Sequence, residues 1–297
     1  MIKRVAVCGQ KEIAIGCTSI LLEKNAEVVF VAPNSSDTGT DTLQPSFRKW
    51  AEGRKLRITG SDHSTLKKEI KEQNIDLLFS VYYDKILKKD LITSLPKGIV
   101  NIHLSELPRY RGIAPVTFAI MNGEEEHGVS LHYIDEGVDR GDVIAQRKIN
   151  IKDLNANEAF NLATKECIEL FKDSIDDILK GTNKRTRQDN SKALYYSYKS
   201  IDWSSIHIIE NNNLFFNRDT RSVYNWLRAF IFPPLQYPLL RLENIAYEIH
   251  RSEPVYEHNN FEKPGTVIRI ETLDGEFIGA VIATHDGYIR LKMKKKA

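Results

Sequence analysis

Short apolar runs alternate with longer mixed segments from the start of the chain. Arg4 to Cys8 reads as a short strand, apolar after Arg4, and ends on Gly9-Gln10-Lys11. Behind them Ile13, Gly16, Cys17, Ile20 and Leu21 recur at three- and four-residue spacing, the period of a helix with one buried stripe. Glu27 to Ala32 is a second strand, apolar after Glu27. Strand, helix and strand in that order predict parallel strands joined by a crossover. The same reading gives a strand over 57–59, a helix over 66–73, a buried strand over 76–81 and a helix over 87–95. Pro96-Lys97-Gly98 turns into a central strand. A helix over 116–122 and strands over 129–134 and 143–149 follow. Residues 157–180 form a long amphipathic helix, its stripe running from Ala159 and Phe160 to Ile175 and Ile178, closed by Gly181.

Beyond residue 190 the pattern changes. A polar stretch over 184–191 leads to one helix over 220–230 and a rigid aromatic loop, Phe232-Pro233-Pro234-Leu235-Gln236-Tyr237-Pro238. The remainder reads as strands over 245–250, 265–270, 277–284 and 288–293, with turn signals at Pro264-Gly265 and Asp286-Gly287. The expected fold class is α/β: a Rossmann-like, mostly parallel sheet domain over 1–190, a connecting segment over 191–238, and a small β-rich C-terminal domain over 239–297.

Composition narrows the function classes. The 297 residues carry 42 Lys and Arg against 40 Asp and Glu, a net charge of +2, which by itself gives no argument for nucleic acid. Residues 290–297 hold five basic groups, read as a solvated tail or a phosphate-binding patch. No apolar run approaches the roughly 20 residues of a membrane span. Met1-Ile2-Lys3-Arg4 leads straight into a strand, so no signal peptide is expected. Cys8, Cys17 and Cys167 are odd in number and lack metal-ligand spacing. The expectation is a reduced, metal-free, cytoplasmic protein. Gly9-Gln10-Lys11 lies at a strand's carboxyl end, where open α/β sheets take ligands, yet lacks the three-glycine dinucleotide fingerprint, so NAD is rejected. Lys11 reads equally as a phosphate contact or a solvated loop lysine.

Most of the chemistry lies between Gly98 and Ile144. Asn101 and His103 alternate with Val100, Ile102 and Leu104, so on a strand the amide and the imidazole share one face. Leu107-Pro108 and residues 112–115 then break the strand into a loop. A histidine with a reference pKa of roughly 6.5 can move a proton near neutral pH. An asparagine NH2 can donate to an oxyanion. Asp139 can orient the histidine and stabilise its cation. Ser and Cys are absent from the place a covalent nucleophile would need, so direct attack by an amine is the simpler scheme. Alone, Asn-x-His at a strand end and an Asp in a turn are more often structural. His132 is read as structural or solvated.

The motifs together resemble the formyltransferase family that uses 10-formyltetrahydrofolate: Asn101-Ile102-His103, Leu107-Pro108-Arg109-Tyr110-Arg111-Gly112, Ala114-Pro115, Gly128-Val129-Ser130, and Gly137-Val138-Asp139-Arg140-Gly141-Asp142. The resemblance implies catalysis by Asn101, His103 and Asp139, with 10-formyltetrahydrofolate as formyl donor. It implies a folate pocket at Tyr82, Tyr83, Lys85, Ile86, Leu87, Arg111, Gly112 and Asp142; the two tyrosines read equally as packing aromatics. Ile201-Asp202-Trp203 resembles the segment where the family leaves its catalytic domain. Arg228-Ala229-Phe230 and the proline-rich loop are reminiscent of the sugar-nucleotide branch, or are simply a core helix and connector. On that branch the acceptor contacts are Gly9, Gln10, Lys11, Ser105, Arg228, Phe230, Gln236 and Tyr237. The acceptor expected is a dTDP- or GDP-linked amino-dideoxy sugar, with a 4-amino-4,6-dideoxy sugar favoured, in a homodimeric enzyme that touches no membrane. Methionyl-tRNA is the runner-up, favoured by the C-terminal β domain and the basic tail. A catalytically dead folate- or nucleotide-binding protein is the non-enzyme alternative.

Overall fold

The computed structural model describes residues 2–201, 209–210, 213–255 and 262–296, with backbone alone at 209–210 and 213–214. Asp202 and Trp203 of the Ile-Asp-Trp segment lie outside the described residues. In chain order the elements are β1 (Arg4–Gly9), α1 (Lys11–Glu23), β2 (Glu27–Pro33), α2 (Phe47–Gly53), α3 (His63–Glu72), β3 (Leu77–Val81), α4 (Lys89–Ile92), β4 (Ile99–His103), β5 (Arg111–Gly112), α5 (Pro115–Met121), β6 (Glu126–Tyr133), β7 (Val143–Asn150) and α6 (Ala156–Lys180). There follow β8 (Tyr195–Tyr196), β9 (Ile209–Glu210), α7 (Asn213–Phe216), α8 (Thr220–Ala229), β10 (Leu239–Leu242), β11 (Ile245–Val255), β12 (Val267–Leu273), β13 (Glu276–Ala283) and β14 (Tyr288–Lys295).

The chain divides into two compact units, residues 1–112, 128–149 and 162–195, and residues 113–127, 150–161 and 196–297. The first is built on a six-stranded sheet in the order β2-β1-β3-β4-β6-β7. The first four of these strands pair in parallel. β6 runs antiparallel to β4. Every residue of β3, and all of β1 after Arg4, is buried. That is why these strands read as continuous apolar runs, since a parallel strand covered on both faces has no polar side to show. Register lines up the carboxyl ends: Gly9 pairs with Pro33 and Val81, and Val81 pairs with Ile102. Gln10, Tyr82 and His103 therefore come next along one edge of the sheet.

The second unit carries a sheet in the order β12-β13-β14-β11-β10-β9. Val223 and Leu227 of α8 pack with Leu240, Ile249, Ile282, Ile289 and Leu291 in its core. Three differences from the sequence expectation have local causes. Residues 57–59 give only a single parallel bridge, Val31 to Ile58, because that stretch is too short to extend a ladder. The helix expected over 87–95 shrinks to α4, since Leu87 turns into the core from a loop. β11 continues past His250 to Val255, where it stays paired with β14.

Candidate active site

The central constellation sits where β4 and β6 face each other. Asn101 stands directly opposite His132, and His103 opposite Ser130. Directly opposed residues of an antiparallel pair project on the same face. Four polar side chains are thereby gathered on one side, while Val100, Ile102 and Leu104 are buried in alternation with them. The loop after β6 adds Asp139, held at φ 50, a left-handed conformation that Asp tolerates better than most residues. A Cβ at Gly141 would lie 1.9 Å from the Tyr133 carbonyl oxygen, so the loop closes this tightly only with glycine there.

Backbone partners fix the neutral tautomer of both imidazoles. His132 Nδ1 lies 2.8 Å from the Tyr133 carbonyl oxygen. A carbonyl only accepts, so Nδ1 carries the hydrogen and the neutral ring presents a lone pair at Nε2. Asn101 Nδ2, 3.0 Å away, donates to that lone pair. His103 Nε2 lies 2.8 Å from the Tyr110 carbonyl oxygen and donates to it. The free nitrogen of the neutral His103 ring is then Nδ1, which faces Asp139 Oδ2 at 3.6 Å. Asp139 Oδ1 is 3.5 Å from His132 Nε2, whose lone pair already accepts from Asn101, so in the neutral ring these two acceptors make no hydrogen bond. Gly112 N–H donates to Asp139 Oδ2 at 2.9 Å. Burial pushes the Asp139 carboxyl up, but attraction to the His103 and His132 rings in their protonated forms, together with the Gly112 N–H, outweighs it and holds the group well below the usual carboxylate range. The site is thus a carboxylate, a proton-accepting nitrogen and an amide donor side by side.

Two braces hold these groups. Gln188 Nε2 donates to the carbonyls of Asp139 and Gly141 at 2.9 and 2.8 Å. Its Oε1 accepts from Arg111 Nε and Nη2 at 3.1 and 2.6 Å, and Arg111 Nη2 also reaches Asn190 Oδ1. Arg111 is buried in this role, so its guanidinium braces the Asp139 loop. Ser130 forms the second brace. Its hydroxyl donates to the Ser105 carbonyl and accepts from Leu107 N–H and Gln146 Nε2. Ser105 Oγ in turn donates to the Arg109 carbonyl at 2.7 Å. The loop from Ser105 to Tyr110 is pinned, and with it the carbonyl that orients His103.

The other sequence-selected residues fall in three places. Along the sheet edge, Lys11 lies half-buried with its ammonium 5.0 Å from the Tyr82 ring centre, and Gln10 Oε1 accepts from Ser36. Gly9 gives its carbonyl to Asn34 N–H. In the loop after β3, the Tyr83 hydroxyl donates to the Ser61 carbonyl, and Lys85 Nζ bonds the carbonyl and hydroxyl of Ser61 at 3.2 Å each. Ile86 is 82 % exposed, whereas Leu87 is core. The Asp142 carbonyl accepts from Tyr133 N–H.

In the second unit, Phe230 is buried against Trp226, with ring centres 4.7 Å apart. Phe230, expected among the acceptor contacts, is therefore packed inside the protein, because the chain leaving α8 turns its ring back onto Trp226 of that helix. Gln236 Nε2 donates to the Phe230 carbonyl. Tyr237 stacks on His250 at 4.1 Å. Arg228 donates to Asn225 Oδ1 and to the carbonyls of Ile151 and Leu154. His132, expected to be structural or solvated, is 1 % exposed and hydrogen-bonded to Asn101. Gln188 lay in what read as a polar linker. Among the described residues no cluster of three or more His, Cys, Asp or Glu could hold a metal ion, and no helix is long and apolar enough to cross a membrane.

Comparison with known proteins matches this geometry to a family. The formyl transferase family profile covers residues 3–167. Methionyl-tRNA formyltransferase of Fusobacterium nucleatum is 31 % identical over 239 residues, spanning 78 % of this chain and 71 % of its own length. The Staphylococcus aureus enzyme of the same name is 30 % identical over 232 residues, spanning 77 % and 68 %. WlaRD, a sugar 3N-formyl transferase solved in the presence of dTDP and 5-N-formyl-THF, superposes with a TM-score of 0.79 at 27 % identity over 100 % of both chains. The Helicobacter canadensis N-formyltransferase, in complex with folinic acid and dTDP-3-aminofucose, gives 0.79 at 26 % identity over 99 % of this chain and 100 % of that one. With a family match over more than half its length, the chain belongs to the formyl transferase family and is an N-formyltransferase.

Proposed function

We propose that the enzyme transfers the formyl group of 10-formyltetrahydrofolate to the amine of a dTDP-linked amino-dideoxy sugar. The observation that carries this reading is the match along the whole chain to two sugar N-formyltransferases solved with formyl-folate ligands, one with dTDP and one with a dTDP-amino sugar. Both names place the amine at position 3, so a 3-amino sugar is proposed ahead of the 4-amino sugar favoured by the sequence. Methionyl-tRNA is the second reading, because the enzymes acting on it share the higher identity. Their match stops at about seven-tenths of their own length.

The residues present suit the donor. When bound, 10-formyltetrahydrofolate supplies an activated formyl carbon on a nitrogen leaving group. Asn101 Nδ2 has two hydrogens, of which His132 takes one, leaving the other for an oxygen that gains negative charge. His103 Nδ1 is the atom that receives the amine proton, since Nε2–H is engaged by Tyr110. Asp139, ionised and buried beside Nδ1, stabilises the imidazolium so formed. His103 then returns the proton to the leaving nitrogen. An alkylamine has a reference pKa of roughly 10, so the acceptor must shed a proton before it attacks. A carboxylate 3.6 Å from the accepting nitrogen favours that loss.

The test is a formyl-transfer assay with 10-formyltetrahydrofolate against dTDP-linked 3-amino and 4-amino sugars, GDP-linked 4-amino sugars and methionyl-tRNA. Turnover with a dTDP-3-amino sugar supports the proposal. Turnover with methionyl-tRNA alone, falling steeply with salt as counterion release requires, replaces it. Self-association belongs to the same proposal and is supported by Ile268, Ile270 and Leu273, exposed on the sheet-edge strand β12. Light scattering that finds only monomers would remove that part.

A further inference from the structure

The second unit contains a cavity of about 410 Å³ lined entirely by its own residues, and neither the triad nor His132 contributes to it. Its buried lining is formed by two side chains, Asn225 and Arg228, each 4 % exposed. Arg228 uses Nε on Asn225 Oδ1 at 3.0 Å and Nη1 on the Ile151 and Leu154 carbonyls at 3.2 and 2.7 Å. Its Nη2 makes no hydrogen bond among the described residues, and it is not one of the sealed, unpartnered buried atoms. The same holds for Asn225 Nδ2. That amide cannot be the other way round, because Arg228 Nε–H needs the oxygen. Gly123, at φ +76, leaves the space beside it open: a Cβ there would stand 2.9 Å from Asn225 Nδ2.

These two residues thus turn unpaired donors, one of them cationic, toward the cavity. The Arg228 hydrogen bonds go to neutral groups, and among the described residues no carboxylate lies within ion-pairing distance of it, Asp153 and Glu125 acting on it only from further off. Two more cations line the cavity in exposed ion pairs, Lys152 with Glu125 at 3.2 Å and Arg221 with Asp153 at 3.5 Å. Exposed pairs of that kind are worth about 0–1 kcal/mol, so they exchange partners readily. Three cations and two carboxylates leave one net positive charge, carried by the buried guanidinium.

We propose that this cavity binds a phosphate group, with Arg228 Nη2 and Asn225 Nδ2 as its donors and Lys152 and Arg221 as its outer cations. A tetrahedral oxyanion supplies the acceptors that both unpaired donors lack, and guanidinium and amide donors suit it. The phosphate comes either from the diphosphate of the acceptor proposed above, on which this arm of the inference rests, or from a separate phosphorylated small molecule.

The test is calorimetric titration of the full-length protein with inorganic phosphate at low salt, followed by dTDP. Wild-type protein is expected to bind phosphate. Asn225→Asp, nearly isosteric, puts a carboxylate against Arg228 and is expected to weaken phosphate by about tenfold or more, the loss of one charge-assisted hydrogen bond. Lys152→Ala and Arg221→Ala alter exposed side chains and are expected to weaken it by a few-fold each. If dTDP displaces phosphate and the two alanine variants raise KM for the nucleotide sugar at unchanged kcat, the cavity holds the acceptor's diphosphate. If phosphate and dTDP bind independently and KM stays put, it holds a second ligand; either result supports the site. The inference is overturned if wild-type protein takes up no phosphate, or if Asn225→Asp and both alanine variants bind it as wild type does. These titrations need no turnover, so they stand even if the enzyme proves to use another acceptor.

Discussion

Replacing Asp139 by Asn removes one charge from the site and little else. Asn still accepts from the Gly112 N–H, still tolerates a left-handed backbone, and leaves the Asp139 carbonyl to Gln188. What is lost, in the proposed mechanism, is the attraction between the carboxylate and the imidazolium that forms when His103 takes the amine proton. His103 and Asp139 side chains are 9 % and 13 % exposed and 3.6 Å apart. At an effective dielectric constant of about 20, unit charges at that distance attract by about 4–5 kcal/mol. That corresponds to roughly 10³ in rate. It falls within the roughly 10²–10⁴ that a general acid–base group contributes.

The assay is steady-state formyl transfer with both substrates varied, beside a melting curve that shows the variant folded. The expected result is a kcat lower by about 10³, with KM for donor and acceptor within a few-fold of wild type. Asp139 acts on a charge that exists only during proton transfer, so its removal belongs in kcat. A folded Asp139→Asn enzyme keeping kcat within tenfold of wild type would refute the proton-transfer role. A loss confined to KM would make Asp139 a binding residue instead.

Three further outcomes follow from the same geometry. His132→Leu leaves the Asn101 amide without its acceptor inside a buried site; urea unfolding should show a loss of about 1–3 kcal/mol and kcat should fall by at least tenfold, and full activity would return His132 to a packing role. Gln188→Leu strips Arg111 of an acceptor and two carbonyls of a donor, so unfolding should become easier by about 3 kcal/mol and kcat should drop although residue 188 is no reacting group; unchanged stability would mean the brace is idle. Because the folded Asp139 carboxyl is depressed, the stability it adds is fully present above the unfolded value of roughly 3.9 and is lost as pH falls through the folded value; melting temperatures of wild type and Asp139→Asn should therefore converge on acidification below about pH 4, and a gap that widens there would contradict the sign.

The sheet of the first unit was readable because burial on both faces leaves a simple imprint. Strands β1 and β3 appear as apolar runs with only Arg4 and Ser80 as polar side chains, and α6 shows its stripe over most of 25 residues. The pieces that went unseen leave no such imprint. β5 pairs with β8, and β9 with β10, through ladders of two or so residues. Two residues cannot display a period, and their pairing depends on backbone groups that any sequence carries. Phe230 shows the complementary failure. An aromatic beside a proline-rich loop fits a ligand platform and a core residue equally well, and only the burial of the ring against Trp226 decides between them.

The active site was legible to the same limit. Asn101 and His103 declare a shared face by alternation alone, and Ser130 and His132 alternate in the same way on the next strand. What alternation does not fix is register. A two-residue slide of β6 along β4 would set His132 opposite His103 or Ile99, and the amide of Asn101 would lose its partner. The observed pairing of Asn101 with His132 decides the matter. It turns a histidine that looked incidental into the group that orients the Asn101 amide, the proposed oxyanion donor, while the Tyr133 carbonyl settles which of its nitrogens is free to do so. Gln188 lies further still from sequence reasoning, since its partners in the Asp139 loop are carbonyls 47 and 49 positions away. The residues that carry charge or move protons thus leave motifs in the chain, and those that position them act through backbone contacts and register, which emerge only once the strands are paired.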